Sequence, residues 1–508
     1  MERRDFLRWL AAGSAATAFS SPLFFSSCRK AGPSSRPNII IFLADDLGYG
    51  DLGCYGNPIN RTPNLDKFAS EGMRFIDSHA AGTVCSPSRA GLLTGRHPYR
   101  SGIYYLISGG AHLRREEITI ASLLKKAGYD TCFVGKWHLS QLDEPDTGQP
   151  TPGDHGFDHW FATTQNAFEG PENPEKFIRN GERLGPVKGW YCDVIVEEAL
   201  SWLSRRSEPR SPFFLLVCSH EPHTPLAPPP SYADMYDNEE VDKLERTIGY
   251  GGVPRDKAGI GPNKKYYYGT VSQLDHAFGS LMSGLDSLGL REDTLVFFTS
   301  DNGPEYPVNR QESKGEWDDP IRDRCYGTPG PLRGMKRFTT EGGHRVPAIA
   351  RWPGVIGPGT ASDALVNGTD ILPTLCELAG ISPPTDRVID GESIVRALRG
   401  KDFVRGKPLF WNFPTHEYAF VPPMVLREGS YSLVAFFNDK DPEETWMDWI
   451  KTARPERFEL YDLSRDIGQR TDLSAAMPEK TAALAAKLAA VWKNIQSEAP
   501  VWPHWQTH

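Results

Sequence analysis

The sequence predicts an α/β fold: a large, mostly parallel sheet sandwiched by helices, followed by a smaller antiparallel sheet. Two observations carry that reading. From residue 38 to residue 299, continuous apolar runs that suit strands buried on both faces alternate with segments of helical spacing. Beyond residue 400 the pattern changes to short strand-like runs joined by turns and closed by one amphipathic helix.

The elements follow in order. Residues 38–44 form the first buried strand. Residues 65–72 and 120–128 have helical spacing and each runs to a glycine, a frequent helix stop. Residues 131–134 read as a short strand, 193–205 as a helix and 213–218 as another buried strand. Residues 267–288 make a long amphipathic helix and 294–299 a further strand. In the later region, 407–413, 424–427, 431–437 and 458–463 read as strands. Leu484, Leu488, Val491 and Trp492 give the last helix a one-sided apolar face. The expected organisation is a signal segment over 1–30, a catalytic domain over 31–400 and an α+β subdomain over 401–508. Residues 251–265 and 306–331 lack periodicity and read as loops over the active face.

Composition narrows the function. The 508 residues carry a formal net charge of -9, which offers no general basic surface and excludes nucleic acid as the expected partner. An anionic substrate must then be held by a few local cations or a metal. At the N-terminus, Arg3-Arg4-Asp5-Phe6-Leu7 resembles a twin-arginine signal and precedes an apolar run over 9–25. Gly13, Ser14 and Pro22 interrupt that run, which suits a spanning helix poorly. Cys28 follows a loose lipobox, Leu23-Phe24-Phe25-Ser26-Ser27. The expectation is export, periplasmic or at the outer surface, with membrane contact only through a lipid anchor on Cys28. A cleaved signal with an incidental cysteine is the plainer alternative. None of the eight cysteines is arranged as CxxC, which argues against zinc, and Cys132 and Cys218 lie in apolar runs as buried thiols.

Four predicted strands run into reactive polar residues: Asp45-Asp46, Gly135-Lys136-Trp137-His138, Ser219-His220-Glu221-Pro222-His223 and Ser300-Asp301-Asn302-Gly303. Open α/β sheets bind ligands beyond the carboxyl ends of their strands, so these residues belong on one edge. Asp45, Asp46, Asp301 and Asn302 offer only oxygen, the donor set for a hard cation such as Ca²⁺ or Mg²⁺. Two adjacent buried aspartates would also repel each other without a cation between them. His155 and His159 are read as surface-loop residues, Trp137 as packing, and Arg333 and His344 as supports for the site.

The most specific segment is Cys85-Ser86-Pro87-Ser88-Arg89-Ala90-Gly91-Leu92-Leu93-Thr94-Gly95. It resembles the signature of the type I, formylglycine-dependent sulfatases, a branch of the alkaline phosphatase superfamily. Gly135-Lys136-Trp137-His138, Pro222-His223-Thr224-Pro225 and the stretch from Leu332 through Lys336 to Pro347 are similar to further elements of that family. The broad pattern resembles its N-acetylgalactosamine-6-sulfatase and arylsulfatase A side.

The resemblance implies an alkaline phosphatase-like fold and a sulfuric ester hydrolase acting on a sulfated carbohydrate. It implies a maturing enzyme that oxidises Cys85 to formylglycine, and a metal, Ca²⁺ with Mg²⁺ as the alternative, on Asp45, Asp46, residue 85, Asp301 and Asn302. It further implies that Arg89 holds the attacking oxygen, that Lys136 and Lys336 bind sulfate, that His223 protonates the leaving oxygen and that His138 acts as base. A phosphate or phosphonate ester hydrolase and a non-catalytic saccharide-binding relative are the rivals. The first would favour an unmodified Ser or Thr nucleophile, and the second would have lost Cys85, His138 or Lys336. Residues 165–190, 306–331 and 413–424 are the expected sugar-selecting loops.

Overall fold

A computed structural model describes residues 36–502 and 504, apart from 108–109, 207, 209–210, 239, 242–263, 306–324 and 414–422. The predicted signal segment lies outside the described residues, as do most of the two expected loops at 251–265 and 306–331.

The largest sheet has 10 strands. From one edge they are Thr360–Ser362, Met73–Phe75, Ala348–Arg351, Thr294–Ser300, Asn38–Ala44, Phe213–Cys218, Asp130–Lys136, His159–Thr163, Ile178–Arg179 and Glu182–Arg183. The run from Thr294–Ser300 through His159–Thr163 is parallel throughout. Antiparallel pairing appears only toward the two edges. The sheet is thus mixed and mostly parallel, as the alternating pattern predicts.

Burial on both faces explains why the central strands read as unbroken apolar runs. Along the first strand, Ile39, Ile41 and Leu43 enter one core, which includes Ile120 and Leu124 from the helix Ile120–Lys126. Ile40, Phe42 and Ala44 enter the other, with Val194 and Leu274 from the helices Tyr191–Ser204 and Lys264–Ser287. Phe42 contacts Phe278 edge-on and stacks on Phe298. Removing either face would expose a row of such side chains, so the helices on both sides are obligatory partners of the sheet.

A separate 4-stranded antiparallel sheet contains Leu409–Asn412, Met424–Glu428, Tyr431–Phe437 and Pro455–Asp462. Leu484, Leu488 and Trp492 of the helix Pro478–Glu498 pack on one of its faces, as their spacing predicts. That core also takes in Val84, Tyr99 and Tyr104, so the small sheet shares packing with the segment that carries Cys85. A second helix, Trp446–Thr452, joins the same core and was not expected from the sequence.

Two local readings need correction. His155 is buried, with Nε2 3.3 Å from the Leu113 carbonyl and its ring beside Trp137. His159 opens a sheet strand and places Nε2 2.9 Å from Glu198. The intervening Gly156-Phe157-Asp158 turn faces inward because Phe157 packs into the core. Trp137 is core packing, as expected.

Candidate active site

The carboxyl ends of four adjacent parallel strands meet on one edge and deliver Asp45 and Asp46, Lys136 and His138, His220 and His223, and Asp301 and Asn302. Gly135 allows the third strand to approach the second closely. Its φ is 105°, and a Cβ there would meet the Cys218 carbonyl at 1.9 Å. Asp46 and His138 adopt left-handed backbone conformations, with φ of 64° and 54°. Such conformations are uncommon outside glycine and occur here at the turns that aim these side chains.

Cys85 begins the ten-residue helix Cys85–Thr94, whose side chains are all buried. Its thiol lies 3.3 Å from Asp45 Oδ1. The helix N-terminus favours negative charge at this point. One turn on, Arg89 donates to Asp301 Oδ2 from Nε at 3.1 Å and from Nη2 at 2.7 Å, and to the Lys136 carbonyl at 2.8 Å. The offset between Cys85 and Arg89 therefore spans one helical turn and ties the Cys85 helix to Asp301.

Asp45 and Asp46 each also have a lysine. Lys136 Nζ donates to Asp45 Oδ2 at 2.5 Å, and Lys336 Nζ donates to Asp46 Oδ2 at 2.7 Å. His223 Nε2 stands 3.6 Å from that same Asp46 oxygen. Every sequence-predicted site residue is thus in this cluster or beside it. His138 is buried, and its Nδ1 has no hydrogen-bond partner among the described residues.

Burial disfavours ionised Asp45, yet Lys136 and Arg89 hold its carboxyl well below the usual range. Burial pushes Asp46 up to about 7, against the pull of Lys336, and raises Asp301 together with the charge of Asp45. Burial and Asp45 also raise the Cys85 thiol, which keeps it protonated. Burial lowers His138 and His223 well below the histidine range, with Lys136 and Arg89 adding to the effect on His138, and Lys336 and Lys136 on His223. Both imidazoles are therefore neutral.

The residues fit a metal ion. One donor atom from each of Asp45, Asp46, Cys85 and His223 lies within 4.8 Å of the others. Asn302 donates to Asp46 Oδ1 at 2.7 Å, and its own buried Oδ1 has no partner among the described residues. Turning the amide over would present that oxygen to the same centre and satisfy it with a cation. Two carboxylates with a thiol and an imidazole beside them make a possible metal site.

The family model described as "Sulfatase" matches residues 37–381. The chain belongs to the sulfatase family. It is a sulfuric ester hydrolase. A second model, described as "N-sulphoglucosamine sulphohydrolase, C-terminal", matches residues 335–496. Among curated relatives, N-acetylgalactosamine-6-sulfatase of Rattus norvegicus is 35% identical over 93% of this chain and 88% of its own length. Arylsulfatase A of Homo sapiens is 34% identical over 88% of this chain and 86% of its own. The solved structure of BT4656 in complex with its substrate D-glucosamine-2-N,6-O-disulfate has a TM-score of 0.68. It is 22% identical and covers 92% of this chain and 99% of that one, a likeness of fold.

Sequence reasoning missed two contributors to this sulfatase site. Asn166 donates to Asp45 Oδ2 at 2.9 Å and lies 3.0 Å from His220 Nδ1. It sits just past the strand His159–Thr163, so the strand-end rule would have found it had that short strand been recognised. Glu305 lies 3.3 Å from Lys336 and pairs with Arg337, close after the predicted Asp301-Asn302 pair.

The residues set aside as supports lie elsewhere. Arg333 donates to Tyr461 Oη at 2.9 Å. His344 stacks on Trp411 and lies 2.9 Å from His79, in a separate buried cluster with Glu341. Glu221 accepts from the Asp45 backbone amide through its carbonyl at 3.1 Å and so fixes the first strand end.

Asn166 supplies a hydrogen bond to a buried carboxylate, worth about 1.5–3 kcal/mol. Asn166→Ala should lower kcat/KM for a sulfate ester roughly tenfold or more while leaving the circular dichroism spectrum unchanged. Asn166→Asp should be worse, because it sets a second acid against Asp45. Wild-type kinetics in both variants would remove Asn166 from the site.

Proposed function

We propose that this sulfatase removes sulfate from a sulfated saccharide, with formylglycine at residue 85 and a divalent cation, Ca²⁺ or else Mg²⁺, held by Asp45, Asp46, Asp301 and Asn302 beside it. The observation that carries the reading is the setting of Cys85. It stands at a helix N-terminus, 3.3 Å from Asp45, inside an oxidation motif, with its thiol kept protonated by burial and Asp45. A buried protonated thiol is a poor nucleophile, so the surrounding groups have little use for it as cysteine. The names of the relatives and the solved complex of one of them with a sulfated glucosamine support a saccharide as substrate.

When present, formylglycine supplies a hydrated aldehyde as nucleophile, and the cation supplies charge neutralisation at the reacting oxygens. The remaining work belongs to side chains of the chain itself. Arg89 and the helix N-terminus favour negative charge at residue 85. Lys136 and Lys336 exchange their contacts with Asp45 and Asp46 for sulfate oxygens and hold the ester against residue 85. His138, neutral and with Nδ1 unpartnered among the described residues, accepts a proton near residue 85.

The leaving oxygen is protonated by the His223 and Lys336 pair. Burial pulls Lys336 toward neutrality, but Asp46 overcomes that pull and keeps it charged, whereas His223 is neutral. Lys336 is therefore the proton source of the pair and His223 the group that passes the proton on.

Taken as formal charges, Asp45, Asp46, Asp301 and Glu305 are matched by Arg89, Lys136, Lys336 and Arg337. A divalent cation and a sulfate dianion add no net charge to this balance. That is the charge type of ligand pair a buried, neutralised cluster accepts at least cost.

We also propose residues 31–400 as the catalytic domain and 401–508 as the smaller one. Among the described residues, no helix is long and apolar enough to cross a membrane. Export then rests on Arg3-Arg4 and the apolar run after it, with Cys28 as the candidate lipid anchor. Arg3-Arg4→Lys-Lys should retain the protein in the cytoplasm in a fractionation assay. Normal export of that variant would assign the general secretory route instead.

The chemistry at residue 85 is tested by peptide mass spectrometry of active protein. Co-production with a sulfatase-maturing enzyme should convert Cys85 to formylglycine, with turnover rising in proportion to the converted fraction. Cys85→Ala should abolish turnover and leave the fold intact. Cys85→Ser should at best trap a covalent sulfate ester, because a plain alcohol has no second hydroxyl to expel sulfate. Pro87→Ala and Arg89→Ala should lower the converted fraction. Full activity from wholly unmodified Cys85 would overturn the reading.

A further inference from the structure

We propose that Phe168 is the apolar platform on which the sugar ring of the substrate rests, and so a specificity-determining residue for the leaving group; this rests on the saccharide reading above. Among the described residues, the exposed large apolar side chains are Ile76, Phe168, Leu288, Val388, Val404 and Val501. Phe168, 49% exposed, is the aromatic member of that set. Single exposed apolar residues are ordinary, so position must decide whether this one matters.

Its position is fixed from both sides. Asn166, two residues earlier, reaches into the floor of the site and donates to Asp45. Ala167 is buried in the core that contains Phe161 and Phe177. The Phe168 amide donates to the Asn166 carbonyl at 2.9 Å, and the Gly170 amide donates to the Ala167 carbonyl at 2.9 Å. These bonds close a tight turn whose earlier residues point inward, so the Phe168 side chain is held out by an anchored backbone.

The ring stands 6.3 Å from that of His223, centroid to centroid, at 76°. His223 belongs to the pair that serves the leaving oxygen, while Lys136 serves the sulfate. Phe168 therefore flanks the side of the site where the alcohol portion of the ester must lie. A phenyl ring has nothing to offer a sulfate group, which is charged and strongly hydrated. A pyranose, in contrast, carries an apolar C–H face. Covering it with the exposed half of Phe168 removes apolar surface from water on both partners. Polar side chains at the edge of such a pocket then orient the sugar hydroxyls.

The test uses the full, formylglycine-containing protein, a panel of sulfated hexosamines and inorganic sulfate as a competing product. Phe168→Ala should raise KM for the preferred sulfated sugar roughly five- to tenfold, the order expected from uncovering half a phenylalanine. The change in kcat should be smaller, and the inhibition constant of inorganic sulfate should stay the same, because sulfate does not reach the ring. Phe168→Trp should keep KM near the parent value. An unchanged KM in Phe168→Ala would overturn the proposal. So would a sulfate inhibition constant that rises by the same factor as KM, which would make Phe168 a prop for His223. A parent protein that hydrolyses an aryl sulfate but none of the sulfated sugars would overturn the saccharide reading and this proposal together. Sugar turnover with an indifferent Phe168→Ala would overturn this proposal alone.

Discussion

Three aspartates, Asp45, Asp46 and Asp301, are withdrawn from solvent at the ends of two adjacent strands, and the rest of the site answers that burden of charge. Ionised carboxylates in such a place are tolerated only with partners at hydrogen-bond distance. Arg89 takes Asp301, Lys136 and Asn166 take Asp45, and Lys336 and Asn302 take Asp46. Satisfaction is incomplete. Asp46 is still pushed up to about 7, Asp301 is raised, and the Asn302 oxygen has no partner among the described residues. A bound cation resolves all three together.

The fold makes this arrangement rigid. The strands that carry the acids are buried on both faces and register residue by residue, from Asn38 opposite Thr294 to Ala44 opposite Ser300. A slip of one residue would send every core side chain to the wrong face. The acids are thus held by the packing of the whole sheet. The Cys85 helix is wedged beside them and shares its neighbouring core with the C-terminal sheet through Val84 and Tyr99. Distant packing in the C-terminal region therefore bears on the position of Cys85.

The sequence revealed the parts with strong local signals. The strands 38–44 and 213–218 coincide with the observed ones because they are unbroken apolar runs, and together with the runs at 131–134 and 294–299 they pointed to the strand ends at Asp45, Lys136, His223 and Asp301. Short or half-polar strands escaped notice, among them Met73–Phe75, His159–Thr163 and Ala348–Arg351, since pairing with neighbours rather than composition defines them. Asn166 escaped with its strand. His155 was misjudged because its burial is decided by Trp137 and Leu113, contacts that no local pattern encodes. Phe168 shows the same limit: it lay inside a loop expected to select sugars, but its place beside His223 exists only in three dimensions.

The central claim is that the buried acids form a divalent cation site, and thermal unfolding of the purified protein tests it most directly. Any ion that binds the folded state alone stabilises it, by about 2.7 kcal/mol at a hundredfold excess over Kd. Removal of metal by a chelator should lower Tm by several degrees, Ca²⁺ or Mg²⁺ should restore it, and Asp301→Asn should shrink the shift. An identical Tm in excess chelator and in millimolar Ca²⁺ or Mg²⁺, from protein that carries no metal by elemental analysis, would contradict the account.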